Sequence, residues 1–158
     1  MPEQDIQEAM DKIGQIPGLA EKAGERALRT VTSKMRQIIQ RDLRRTIRSE
    51  TLKKRVFRQV GLIWLGANPV FADHVKGAVE GSGRNITVDG RSGNFFCMPT
   101  AGGFVTMERY GKGRKDFRRA MVDISPLVNA AFAKAEAKLE PLFLTAFDSE
   151  VQKQLERL

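Results

Sequence analysis

An abrupt change of hydrophobic period divides this chain and limits what it can fold into. Before residue 60, apolar residues recur every three or four positions. From Val60-Gly61-Leu62-Ile63-Trp64-Leu65-Gly66-Ala67-Asn68-Pro69 to about residue 110 they come as short runs separated by glycines, namely Ile86-Thr87-Val88, Phe95-Phe96-Cys97-Met98 and Phe104-Val105-Thr106-Met107. A spacing of three to four places one apolar face on a helix, whereas short runs between turn residues are strand signals. The expectation is an α+β protein, with a long basic N-terminal helix and C-terminal helices packed on a small, mostly antiparallel sheet. A chain of 158 residues is expected to form one domain. Within it, residues 1–57 read as a helical shaft, 58–110 as the sheet, 111–124 as a basic loop and connection, and 125–158 as C-terminal helices.

The first helix candidate runs from Glu3 to Ile13, and Gly14 to Gly18 with Pro17 breaks it. A second, from Leu19 to Ile47, carries Ala20, Ala23, Ala27, Val31, Met35, Ile38, Ile39 and Leu43 as its apolar stripe. Ser49 can cap a short helix from Glu50 to Phe57. Gln59 to Leu65 has few polar residues and reads as a strand buried on both faces. Val70 to Val79 has room for a helical turn. Ile86–Val88 and Asn94–Met98 are expected to pair across Asp89–Gly93, ahead of a strand from Phe104 to Tyr110. Ser125-Pro126 starts the last helical region, and Pro141 divides it.

Charge is unevenly placed. Arg26 to Arg58 holds twelve basic residues against Asp42 and Glu50, a balance of +10, while residues 126–158 hold four basic against five acidic, a balance of −1. Arg36, Arg41, Arg44, Arg45 and Arg48 crowd one helix, where like charges three and four apart repel. Long arginine stems can cover apolar surface with the head group in water. A partner supplying negative charge would also remove the repulsion, and DNA phosphates or the acidic face of a neighbouring subunit would serve.

Reactive chemistry has little to work with. His74 is the sole histidine, and its neighbour Asp73 is expected to point elsewhere. One histidine and one cysteine leave no usual metal-ligand spacing, and Cys97 in a Phe-rich run reads as a small core residue. Neither Gly81-Ser82-Gly83 nor Gly111-Lys112-Gly113-Arg114-Lys115 has phosphate-loop spacing. Exposed aromatic platforms are not evident. No catalytic residue, cofactor or metal is expected, so the reading is a binding protein and not an enzyme. No apolar run is long enough to span a membrane, and the acidic start Met1-Pro2-Glu3-Gln4-Asp5 does not read as a secretory signal.

Four segments occur in a recognisable order: Leu52-Lys53-Lys54-Arg55, Trp64-Leu65-Gly66-Ala67-Asn68-Pro69, Phe95-Phe96-Cys97-Met98-Pro99, and Arg109-Tyr110-Gly111-Lys112-Gly113-Arg114. Over roughly residues 25–125 the chain thereby resembles the minor tail protein Z family, the tail-completion proteins at the head–tail junction of tailed bacteriophages and prophages. Where that family would place a short apolar strand, Lys115-Asp116-Phe117-Arg118-Arg119 stands instead. The resemblance implies a structural virion protein of the tail end or neck, assembled in the bacterial host cytoplasm. It would act as a homo-oligomeric ring, with a hexamer as one candidate copy number. Its neighbours would be a tail-terminator or tail-tube protein and a head-closure or connector protein.

On that view Arg36, Arg41, Arg44, Arg45, Arg48, Phe143, Phe147 and Val151 form the subunit or partner interface. Lys112, Arg114 and Lys115 are the candidates for transient contact with phage DNA. The alternative is a soluble DNA-binding regulator or packaging factor that uses the basic helix.

Overall fold

The computed structural model describes residues 11, 18–53, 55–59 and 61–157, with Val56 and Phe57 described by backbone alone. Its class is α+β. Helix α1 spans Leu19–Leu43, α2 Ser49–Lys53, α3 Ser125–Glu136 and α4 Leu139–Leu155, and ten short strands and one 3-10 turn lie between α2 and α3. The backbone divides into two compact units. The first takes α1 as far as Ile38, Phe57–Ile63 and the chain from Ala133, and the second takes Ile39–Val56 and Trp64–Phe132.

In α1 the buried apolar residues are Leu19, Ala23, Ala27, Val31, Met35, Ile39 and Leu43. Each follows the last by four positions. Because a turn holds about 3.6 residues, such a row advances by about 40° per step and winds round the helix. The face buried at Leu19 is therefore not the face buried at Leu43, and one helix supplies core residues to both units.

In the first unit, Leu19, Ala23 and Val151 form a cluster against which Phe147 and Leu155 pack. Small residues let the helices approach: a Cβ added at Gly24 would stand 4.0 Å from the Phe147 ring. The break between α3 and α4 falls at Ala137–Lys138. Pro141 explains it, having no N–H for the Ala137 carbonyl and a ring that crowds it. Thr32 ties down the turn at Gly61, donating to the Leu28 carbonyl at 2.7 Å and accepting the Gly61 N–H at 3.0 Å.

The second unit holds most of the strands, and every pairing described is antiparallel. Strand β3 (Val70–Phe71) pairs with β10 (Met121–Val122). Strands β4 (Val79–Glu80), β5 (Thr87–Val88) and β6 (Arg91–Ser92) make one three-stranded sheet. Strands β7 (Phe95–Thr100), β8 (Gly103–Arg109) and β9 (Phe117–Arg119) make another. Ile47 bridges Val75, and the 3-10 turn Ala72–His74 lies just before it. Arg55 gathers the chain between the sheets by donating to the carbonyls of Gly66, Asn68 and Pro69.

Several expectations are corrected. Strand Gln59–Leu65 is instead a hairpin, β1 (Val56–Gln59) and β2 (Leu62–Leu65). It is not buried on both faces, for Leu62 and Trp64 are 48% and 47% exposed. Helix α1 ends at Leu43, not Ile47, because Arg48 N–H and the Thr46 carbonyl bond to His74 and Lys76 instead of continuing the helix. Helix α2 stops at Lys53, since β1 begins at Val56.

Ile86–Val88 does not pair with Asn94–Met98. Asp89 and Gly90 both have positive φ, 52° and 71°, and close a two-residue turn that folds β5 onto β6. Strand β7 is thereby left for β8. Phe117–Arg119 does supply a last strand despite its charge. Cys97 is exposed rather than core; it lies on β7, an edge strand whose one described neighbour in the sheet is β8. The Glu3–Ile13 helix lies outside the described residues except at Asp11, which is helical.

Candidate interaction surfaces

The end of α1 and the turn after it carry the first surface. Arg41, Arg44, Arg45 and Arg48 are all exposed. None forms an ion pair or side-chain hydrogen bond among the described residues, whereas Arg29, Arg118 and Arg119 each meet an acid. Cations at a helix C-terminus are favoured by the carbonyls that the last turn leaves open. That accounts for one or two arginines at this place, not four. Arg36, expected among them, is half-buried in the first unit, with its Nε buried and unpartnered among the described residues.

Beside Arg48 lies a cleft of about 260 Å³, lined by Arg48, Glu50, Thr51, Arg55, Phe71, His74 and Met121 among others. His74 Nδ1 is 2.9 Å from Thr51 Oγ1. Burial holds its imidazole below the usual histidine value, and the Arg48 and Arg119 guanidinium groups push the same way; Asp73 and Glu50 oppose them with less effect. Asp73 turns away from His74. Its carboxylate accepts the Thr106 hydroxyl at 2.7 Å and the Thr106 N–H at 3.1 Å, with Arg119 at 3.5 Å. Arg119 also lies 3.7 Å over the Phe71 ring. Adjacent in sequence, the two residues thus serve different partners, and no acid–base dyad forms.

The loop after β8 is the second surface. Asp116 curls back to accept the Gly113 N–H at 2.7 Å, and Arg109 donates to the Gly113 carbonyl at 3.0 Å. Gly111 and Gly113 leave room for this brace: a Cβ on either would press on the Asp116 side chain and displace its carboxylate. With its one acid turned inward, the loop presents Lys112, Arg114 and Lys115 to solvent. Tyr110 at its root is 62% exposed, and the Arg118 guanidinium lies 5.6 Å from its ring centre. Phe104 is 74% exposed on β8. Exposed aromatics thus do exist, contrary to expectation. The sequence signal for Tyr110 is its position between a strand and a glycine-spaced basic loop.

The expected C-terminal interface residues divide. Val151 is buried in the first unit's own core, and Phe147 packs against that core and stacks on Phe143 at 6.0 Å. Neither Val151 nor most of Phe147 is open to a partner. The exposed apolar residues of α4 are Leu139 and Leu144. Among the described residues no group of three or more His, Cys, Asp or Glu side chains converges as a metal site. No described helix is long and apolar enough to cross a membrane.

Comparison with protein-family models, curated proteins and solved structures finds no match to this chain. The likeness to tail-completion proteins therefore stands on the order of its sequence motifs.

Proposed function

We propose that this chain is a structural protein of the head–tail junction of a tailed phage or prophage, completing the tail and joining it to the head as a homo-oligomeric ring. The observation that carries the reading is the group Arg41, Arg44, Arg45 and Arg48, solvent-facing and without acid partners among the described residues. Arg41 lies in the last turn of α1 and the other three follow its end within five residues, so four like charges crowd one short stretch of chain and repel one another. An acidic surface on a neighbour would turn that repulsion into attraction. A rotationally symmetric ring needs two different patches that meet. Glu136, Glu140, Asp148 and Glu156, all exposed, supply acidic groups for the second. The motif order adds support.

The test is the solution mass of the purified protein by light scattering, alone and with tail-tube protein. Wild-type chain is expected to form a closed multimer or to join the tube. Arg44→Glu with Arg45→Glu is expected to leave a folded monomer that yields no infectious tails. Full assembly by that double variant would remove the arginine group from the interface; a wild-type monomer that joins no particle would end the proposal.

The second reading, a soluble DNA-binding protein, draws on the same arginines. A monomer whose gel shift weakens steeply with salt would favour it, since each phosphate neutralised releases counterions.

A further inference from the structure

We infer that Tyr110, Arg118 and the loop of Lys112, Arg114 and Lys115 form a site for single-stranded nucleic acid, in which the tyrosine ring stacks on one unpaired base. Three observations meet there. Tyr110 is the chain's one tyrosine and is 62% exposed on a strand end. Arg118 holds its ring by lying 5.6 Å from the centroid, and is itself fixed by Glu108 at 3.2 Å. A guanidinium covering part of the ring leaves so large an exposed fraction only if much of the rest is open. A solvent-facing aromatic ring backed by a cation is a stacking platform, because every base offers a π-face.

The charge beside it is prepared as well. Both nearby carboxylates are committed, Glu108 to Arg118 and Asp116 to the Gly113 amide. Lys112, Arg114 and Lys115 have no such partner among the described residues and face outward. The Asp116 brace sets the loop before any ligand arrives, which reduces the ordering cost of binding. An acidic peptide would satisfy the three cations but has no use for a bare aromatic face. A duplex offers phosphates but keeps its bases stacked. The combination selects a strand with an exposed base.

The site lies on one copy and does not depend on the ring reading. Fluorescence anisotropy with a short labelled oligothymidylate and with a matched duplex, over a salt series, tests it. Oligothymidylate is expected to bind more tightly than duplex. Tyr110→Ala should weaken oligothymidylate binding roughly five- to 150-fold with the salt slope unchanged, as loss of one stacked base predicts, and Tyr110→Trp should retain it. Replacing Lys112, Arg114 and Lys115 together by Ala should flatten the slope by about 2, for three phosphate contacts on a single strand. Light scattering on the same samples separates a lost site from lost assembly. Unchanged binding by Tyr110→Ala overturns the proposal, as does preferred binding of duplex. Polyglutamate bound in place of oligothymidylate overturns it too.

Discussion

The carboxylate of Asp73 takes both the N–H and the hydroxyl of Thr106, so that one acid in the 3-10 turn fixes the middle of strand β8. Thr106 is only 2% exposed, and water cannot replace the acid there. Asp73→Ala should therefore destabilise the protein by about 2–4 kcal/mol, the cost of leaving buried donors unmade and Arg119 unpaired. Asp73→Asn, which keeps one acceptor, should cost less. Urea unfolding of both variants with Thr106→Val in a double-mutant cycle measures it, and additive effects would contradict the coupling.

His74 gives stability a pH dependence of known sign. Its folded value lies below the ordinary 6.5 because of burial, then Arg48 and Arg119. The unfolded chain thus binds the proton more readily. The contribution is complete above 6.5 and is lost as pH falls through the folded value. Melting temperature should fall as the pH is lowered below 6.5, and His74→Phe should flatten that segment of the curve. An equal slope in the variant would assign the effect elsewhere.

The brace in the basic loop can be removed from either end. Asp116→Ala deletes the acceptor, and Gly113→Ala forces a Cβ to 2.6 Å from its oxygen. Both should speed amide hydrogen exchange at Gly113 by a similar factor. Because the loop is exposed, global stability should change by no more than about 1 kcal/mol. Protection kept in Gly113→Ala would mean that the loop has another support.

Trp64, the one tryptophan, is a ready reporter of association. At 47% exposure it should be readily quenched by acrylamide in the isolated chain. If β2 lies within a subunit contact, quenching should fall on assembly, as aromatic rings entering interfaces lose water. Equal quenching before and after would place β2 on the outer surface.

Much of the helical architecture could be read from residue spacing. The α1 stripe, the start at Ser125-Pro126 and the break near Pro141 all follow from local rules: period, capping and a missing N–H. The stripe Ala20 to Leu43 reads as one face, yet Ala20 is exposed and Leu19 buried in its place, and the drift of the four-residue steps implies a winding surface and hence a helix shared by two cores. Asp89–Gly93 reads as one connection, yet the Asp-Gly pair alone closes the hairpin between β5 and β6. Exposure at Cys97, Phe104 and Trp64 depends on which elements fail to cover them, and no local pattern states that. The loop charges were visible, but the role of Asp116 was not, because a folded-back carboxylate and a solvated one have the same letter.

The outward-facing position of Cys97 on β7 has a practical consequence. As the chain's one thiol, it accepts a single maleimide dye per copy. Stepwise photobleaching of a labelled particle would then count the subunits directly, one loss of light for each.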